Sequence, residues 1–582
     1  MTRLFNDPAT FTEDMLEGFL DANADYVVGV PGGVVRAQET RPGKVAVVVG
    51  GGSGHYPAFC GVVGPGFADG AVVGNIFTSP SAVEATSVAR AVDSGAGVLL
   101  TTGNYAGDVM NFSLAVKALA HEGIDARYLP VTDDIASASA EDVTKRRGIA
   151  GDFTVFKIAS AAAEAGYVLD EVQRVGRAAN DNTRTLGVAF DGCTLPGADH
   201  PLFTVETGMM DLGLGIHGEP GVSTHEMPSA AELARLLVDG VLAERPDGTG
   251  TRVGAILNGL GRTKYEELFV VWGTASKLLR EAGYTIVSPE VGELVTSLDM
   301  AGCSLTLMWL DEELESFWTA AADTPAFRRG TFGVATRSGE RRTAALAHET
   351  SGVSAAGDDQ GRLCGATVAT VIEAIARVMA VNEEELGRID AVAGDGDHGR
   401  GMVRGTEYAT LAARAAVAQG AGPQGVLTAA GEAWAAKAGG TSGVLWGAAL
   451  TAMGTRLGDT GQPDAHDLAD GVRAGYDAIV ALGGAKLGDK TMLDALWPFV
   501  ETLSAAVGAG VLTAQAWDEA AVVAQTAAGA TAQLRPLVGR ARPLAERSVG
   551  TPDAGAVSMA MCVRTVADFL NTNSECKEHD HG

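Results

Sequence analysis

The chain has 582 residues, 46% of them hydrophobic and 20% charged, which is too long for a single hydrophobic core and too apolar for a disordered polymer. Its 43 Lys and Arg face 72 Asp and Glu, a net charge of −29. Such a surface repels phosphate backbones and anionic lipids, so neither nucleic acid nor membrane is expected as a partner. A nucleotide whose phosphates are bridged to acidic side chains by Mg²⁺ stays compatible with it. Asp7, Glu13 and Asp14 near the N-terminus predict no secretory signal. No stretch reaches the ~20 uninterrupted apolar residues of a membrane span, so a cytoplasmic chain is expected. The six cysteines are scattered without a CxxC, as in thiols of a reducing compartment.

Short β-rich runs alternate with helical stretches up to about residue 330: 44–50, 71–77, 97–103, 185–190, 253–259 and 303–310. Several end in glycine-rich turns, as in an α/β domain that presents a site at its strand ends. Three glycine-rich turns carry an ionisable group. VVVGGGSGHYPAF (47–59) brings Ser53, Gly54 and His55, and GNYAGDVMNF (103–112) brings Asp108. GLGIHGEPG (213–221) sets His217 between glycines, which let a ring approach a ligand closely. Each histidine alone reads as a surface residue; the convergence of three such turns predicts an active site.

A polar, Gly/Ser-rich stretch over 333–364 reads as a linker between a first domain, 1–332, and a second, 365–582. In the second, Ala-rich segments with helical spacing predict helices over 368–381, 402–418, 426–438, 465–482, 493–507 and 514–534. IDAVAGDGDHGRGM (389–402) places Asp390, Asp395 and Asp397 on a glycine-rich turn. Three hard oxygen ligands there suit Mg²⁺. A solvated acidic loop and a Ca²⁺ loop are the other readings, although the twelfth-position Glu of an EF-hand is missing. AGGTSGVLWG (438–447), GAKLGDKTMLDAL (484–496) and GRARPLAERSVGTPDAGA (539–556) are further glycine-rich turns at helix starts. Singly each fits a helix cap; together they predict loops gathered at one end of a helical bundle around a nucleotide and its metal. No GxxxxGK[ST] is present, so the phosphate cradle is of another kind.

These segments resemble, in family order, the dihydroxyacetone kinase family in its single-chain form, which joins a K domain to an L domain. NDPATFTEDMLEGF, GGGSGH, NYAGDVMNF, RRG (146–148), GIHGEPG and TSLDMAGCS (296–304) carry the likeness in the first half. GDGDHG, GGTSG, GDKTMLDAL, GRA and PDAGA carry it in the second. The resemblance implies an α/β K domain followed by an all-α, nucleotide-binding helical barrel, and ATP-dependent phosphorylation of a short-chain ketose by a homodimer. It implies that His217 forms a covalent hemiaminal with the ketone carbon, which rejects polyols by chemistry. Asp108 would accept the proton of the attacking primary hydroxyl, and His55 would hydrogen-bond the substrate beside it. Backbone groups of Gly52, Ser53 and Gly54 would fix its hydroxyls. Asp390, Asp395 and Asp397 match the ligands of two Mg²⁺ ions on the nucleotide phosphates, where neutralising charge is the main catalytic work. His398, Gly399, Arg400, Gly401, Thr441, Ser442, Gly483, Met492, Arg540, Asp553, Ala554 and Gly555 would line the ATP pocket.

Three positions depart from the family pattern. Tyr56 stands where Glu is common, Phe59 where His is common, and Gly103 where a lysine often precedes the Asn-Tyr pair. The loss of polar reach alters the carbonyl pocket and points to a four-carbon ketose such as erythrulose in place of dihydroxyacetone. The resemblance allows three other readings: a regulatory protein on the same fold, a phosphoenolpyruvate-dependent subunit, and a lyase cyclising FAD. Retention of His217 and the aspartates favours catalysis, and fusion without a phosphocarrier domain favours exchangeable ATP.

Overall fold

The computed structural model describes residues 2–330, 357–394, 396–438, 440–538 and 545–579. The chain divides into two units, residues 1–348 and 349–582. The first begins α1 (Phe11–Ala22), β1 (Val27–Val30), β2 (Gly33–Arg36), β3 (Ala46–Ser53), β4 (Gly70–Ile76) and α2 (Ala82–Val92). It continues β5 (Val98–Gly103), α3 (Ala106–His121), β6 (Ala126–Val131), α4 (Asp152–Glu164) and α5 (Leu169–Asp181). Then come β7 (Thr183–Asp191), β8 (Met209–Leu212), β9 (Ser223–Glu226), α6 (Ala230–Ala243) and β10 (Arg252–Gly259). It ends with α7 (Tyr265–Glu281), β11 (Thr285–Gly292), β12 (Ala301–Trp309), α8 (Glu312–Thr319) and the two-residue strands β13 (Ala322–Asp323) and β14 (Arg328–Arg329).

Two six-stranded sheets result, ordered β1-β2-β4-β3-β5-β6 and β11-β10-β12-β7-β8-β9. In the first, β4, β3, β5 and β6 run parallel, and the antiparallel pair β1–β2 finishes one edge. β3 is buried at every position, as a β-branched strand covered on both faces of a parallel sheet should be. It runs three residues past the expected end at Gly50, because Gly51 and Gly52 pair with Val73 and Gly74 of β4. The missing side chains let neighbours close in: a Cβ on Gly51 would lie 2.5 Å from the Phe59 ring. Helix α4 is buried from Asp152 through Ala163, which explains its run of small and aromatic residues. Helices α2 and α6 both start with a Ser-x-x-Glu capping box, Ser81/Glu84 and Ser229/Glu232, in which each side chain satisfies the other's backbone N–H.

The second unit holds α9 (Asp359–Val381), α10 (Glu383–Asp390), α11 (His398–Ala418), α12 (Pro423–Ala438) and α13 (Gly440–Leu457). After these come α14 (Ala465–Gly483), α15 (Leu493–Gly508), α16 (Thr513–Ala530), α17 (Ala545–Ser548) and α18 (Ala554–His579). Contacts run α9–α11–α12–α13–α14–α15–α16–α18 and back from α18 to α9, so the long helices close into a ring, the helical barrel the sequence implies. Glycines let neighbours approach: a Cβ on Gly447 would lie 2.8 Å from both the Gly431 carbonyl and the Ala435 methyl. Inside, Phe499, Val500, Trp434 and the Ala-rich face of α16 are buried together.

The expected linker end at 364 is corrected: α9 begins at Asp359, capped by Asp358, which accepts the Gly361 N–H. Gly361 and Gly365 read as loop residues, yet they pack against the Asp459 and Ala421 carbonyls, where a Cβ would not fit. Most of the remaining linker lies outside the described residues. Among the described residues α9 is the one helix long and apolar enough to cross a membrane by length and composition; here it packs on α11, α12 and α18.

Trp318 ties α8 into the first unit. It is fully buried, its indole N–H donates to the Val287 carbonyl at 2.9 Å, and the Arg329 guanidinium sits 4.4 Å from its ring centroid. Trp318→Ala is expected to destabilise the chain by about 3–5 kcal/mol, read as a lower denaturant midpoint for the first unit.

Candidate active site

The strand β3 delivers His55 on the turn that follows it. The turn is held by the segment 296–298: Thr296 N–H donates to the His55 carbonyl at 3.2 Å and Leu298 N–H to the Gly54 carbonyl at 2.8 Å. A cavity opens beside it. Gly50, Gly51, Gly52, His55, Phe59, Gly103, Tyr105, Asp108, Asp152, Ile216, His217 and Val295 form its lining. The three turns singled out in the sequence therefore meet at one place. Asp108, in the first turn of α3, is buried. Ser53 and Gly54 do not line the cavity; the Ser53 hydroxyl pairs with that of Thr12 at 3.1 Å. Of the three departures, Phe59 and Gly103 form part of the wall and Tyr56 does not.

At the centre the two histidines face each other, His55 Nε2 to His217 Nε2, at 3.0 Å. His55 Nδ1 lies 2.7 Å from the Thr296 carbonyl, and His217 Nδ1 lies 3.1 Å from Glu219 Oε1. A carbonyl only accepts, so His55 Nδ1 donates to it and the His55 Nε2 carries a lone pair. The chain Thr296–His55–His217–Glu219 thus needs one proton more than two neutral rings and a carboxylate would hold. Burial, followed by the neighbouring His217, pushes the His55 pKa down to about 3, so the added proton belongs to the His217–Glu219 end. Glu219 is anchored by the His217 backbone N–H at 3.1 Å and by Arg147 at 3.6 Å, which also pairs with Asp134 at 2.8 Å. The Tyr105 ring stands edge-on to His217 at 4.8 Å, with its hydroxyl donating to the Gly148 carbonyl at 3.0 Å.

Sequence reading missed Tyr105, Arg147, Asp152, Glu219 and Thr296 as site residues. All but Asp152 lie inside motifs that were noticed, Glu219 only two residues beyond His217. Their spacing carries no sign of which side chains turn inward.

In the second unit the acidic turn closes on itself, with Asp390 Oδ2 accepting the Gly396 N–H at 2.9 Å. Burial, with Asp390 alongside, pushes the Asp397 carboxyl up to about 7. Burial also pushes Asp553 to about 7, with Asp390 and Asp494 adding to it. His398 Nε2 lies 2.9 Å from the Ser558 hydroxyl, which joins the start of α11 to the start of α18. Gly555 adjoins Met492, whose Cβ would be 3.7 Å from a Cβ placed there. A Cβ on Gly401 would lie 3.8 Å from the Ala438 carbonyl, at the end of α12 that leads into Thr441 and Ser442, and one on Gly483 would lie 3.3 Å from the Leu445 side chain. The Ser442 hydroxyl is buried without a hydrogen-bond partner. Asp390, Asp397, His398, Met492 and Asp553 to Gly555 are thus brought together, with Gly399 and Arg400 in the same helical turn. Asp395 and Arg540 lie outside the described residues. Among the described residues no group of three or more His, Cys, Asp or Glu has metal-ligand geometry.

The family models match these halves in turn: the Dak1 domain over residues 17–326 and the DAK2 domain over 392–568. The chain is 69% identical to a D-erythrulose kinase of Mycolicibacterium smegmatis, over 99% of this chain and 100% of that protein. It is 54% identical to an L-erythrulose kinase of Pectobacterium atrosepticum, over 99% of this chain and 97% of that protein. Among solved structures, the dihydroxyacetone kinase from C. freundii in complex with AMP-PNP and Mg²⁺ aligns with a TM-score of 0.52 at 30% identity, covering 97% of this chain and 99% of that one. The chain belongs to the dihydroxyacetone kinase family, in the single-chain form that carries both domains.

The neutral state of His55 is directly measurable. Its folded pKa of about 3 lies below the ordinary 6.5, so the unfolded chain takes up this proton first. The stability carried by the neutral ring is complete above about 6.5 and is lost as the pH falls toward 3. NMR of histidine-labelled protein, assigned with His55→Gln, should show one ring still neutral at pH 5; a His55 midpoint above about 5.5 would contradict the proton count.

Proposed function

We propose that the chain is an ATP-dependent kinase acting on a primary hydroxyl of a short-chain ketose, with D-erythrulose preferred over dihydroxyacetone. The observation that carries this reading is the pair of facing imidazoles in a cavity that also holds Asp108. That set can bind a carbonyl covalently and take a hydroxyl proton in one place.

As His55 Nε2 accepts the proton from His217 Nε2, the freed lone pair attacks the ketone carbon. The C–N bond forms, the C=O π pair moves to oxygen, and the same proton passes from His55 to that oxygen. His217 keeps its Nδ1–H, donated to Glu219, so the alkylated ring remains an imidazolium beside a carboxylate and net charge is unchanged. A polyol has no carbon for this step. Asp108 then accepts the proton of the primary hydroxyl as it attacks phosphorus. Phe59, Ile216 and Val295 keep water from the adduct.

The acidic turn fits Mg²⁺. Asp397 is pushed up to about 7 by burial and by Asp390, a repulsion that a hard divalent cation bound by Asp390, Asp395 and Asp397 would relieve. When bound, Mg²⁺ neutralises charge on the nucleotide phosphates. His398 to Gly401, Thr441, Ser442, Gly483, Met492, Arg540 and Asp553 to Gly555 would surround the nucleotide. Retention of His217, Asp108 and all three loop aspartates argues against a regulatory chain with no catalytic role. The identity with the D-erythrulose kinase supports the substrate choice, as do Phe59 and Gly103 in the cavity wall.

Coupled ADP release over dihydroxyacetone and both erythrulose enantiomers should give D-erythrulose a kcat/KM at least about tenfold above dihydroxyacetone; the reverse order overturns the substrate assignment. Asp108→Asn should lower kcat by ~10²–10⁴-fold while the intact protein still gains the ketose mass, and His217→Ala should lose that adduct. Asp397→Ala should abolish Mg²⁺-dependent turnover without touching adduct formation.

A further inference from the structure

Asp152, the first residue of α4, is only 3% exposed and lines the same cavity as His55, Asp108 and His217. Its Oδ1 is buried without a hydrogen-bond partner. The backbone amides around it have other partners: Asp133 accepts the N–H of Ile149 at 2.9 Å and of Gly151 at 2.7 Å, and those of Phe153 and Thr154 go to the Ala150 and Gly151 carbonyls. The carboxyl lies against the wall where Gly103 has no side chain: a Cβ on Gly148 would be 2.5 Å from both Asp152 Oδ1 and Gly103 Cα. Burial, then Asp133 and Asp108, raise its pKa well above the usual carboxylate range, which favours the protonated carboxyl with one O–H donor and one carbonyl acceptor.

The polar side chains lining the cavity can be accounted for in turn. His55 and His217 engage each other, Tyr105 donates to Gly148, and Asp108 is the base for the reacting hydroxyl. Asp152 is left with its hydrogen-bonding capacity unspent, and buried polar groups are nearly always paired. Once the carbonyl carbon is fixed at His217 and the reacting hydroxyl at Asp108, the other arm of the ketose remains to be read. That arm is where three- and four-carbon ketoses differ.

We propose that Asp152 is a specificity-determining residue of the ketose site: its carboxyl hydrogen-bonds a hydroxyl that a four-carbon ketose carries and dihydroxyacetone lacks. The inference rests on the ketose-kinase reading. A carboxyl in a setting that disfavours its charged form can meet the added hydroxyl as donor or acceptor. Removing it leaves that hydroxyl buried and unpaired, a penalty dihydroxyacetone does not feel.

The test is the ratio of kcat/KM for D-erythrulose to that for dihydroxyacetone. Asp152→Ala should lower the ratio by about 10-fold or more, whereas Asp152→Asn, an isosteric neutral donor and acceptor, should keep it within about threefold. An unchanged ratio in the Ala variant, or an equal loss for both ketoses, overturns the proposal. Should the Ala variant not fold, the wild-type enzyme supplies the same test with the D-erythrulose analogue lacking the C4 hydroxyl, the one with no counterpart in dihydroxyacetone. It should lose at least tenfold against D-erythrulose in the wild type, and turnover equal to that of the parent ketose overturns the idea. If the wild type phosphorylates neither ketose, the kinase reading itself fails, an outcome distinct from a working enzyme with an unmoved ratio.

Discussion

The contact between His55 and His217 is the constraint on which the first domain's site depends. Two ring nitrogens at 3.0 Å tolerate each other only if a proton lies between them, and that proton is sustained by Thr296 at one end and Glu219 at the other. His55 follows a strand of the first sheet, while His217 and Thr296 sit in loops of the second. The pair is therefore a joint between two sheets as well as a chemical device, and a small slip of either sheet would break the proton line. This accounts for the support around it: the hydrogen bonds from 296–298 to the His55 turn, and the Arg147–Glu219–Asp134 charges that fix the far end.

Much of this was legible in the sequence, for identifiable reasons. Val47 to Val49 and Leu99 to Leu100 announce buried parallel strands, and glycines flanking His55, Asp108 and His217 announce close approach. The edge strands were not legible. β11 contains Pro289 and β9 is exposed at all four positions, so neither shows the apolar pattern of a buried strand, and pairing alone makes them strands. α10 was missed because only Leu386 and Ile389 are buried along a segment opening with three glutamates. Asp152 was invisible for another reason: a carboxylate after Ile-Ala-Gly looks like an ordinary helix-start residue, and only the packing reveals that its Oδ1 is buried without a partner.

Both domains use the same physical means to opposite ends. In each, carboxyl groups are gathered where water cannot reach them, so that their charge is costly. In the first, burial, then Asp133 and Asp108, raise the Asp152 pKa and so favour a proton on that carboxyl. In the second, Asp397 and Asp553 stand near 7 around Asp390, and a cation can take the place of the protons. On the proposed Mg²⁺ reading, proton and metal would compete for the turn of Asp390 and Asp397, and loading it would release protons.

The closed ring of the second domain has a consequence for how the chain acquires its shape. α9 finds its last neighbour in α18, roughly two hundred residues further along, so the barrel has no seam that can be sealed early. Until α18 is made, α9 and α16 lack a neighbour that they pack against in the ring, whereas every strand among the described residues precedes α9. Along the chain, the domain whose strands pair within the first 330 residues therefore precedes one whose closure joins its first helix to a helix far downstream.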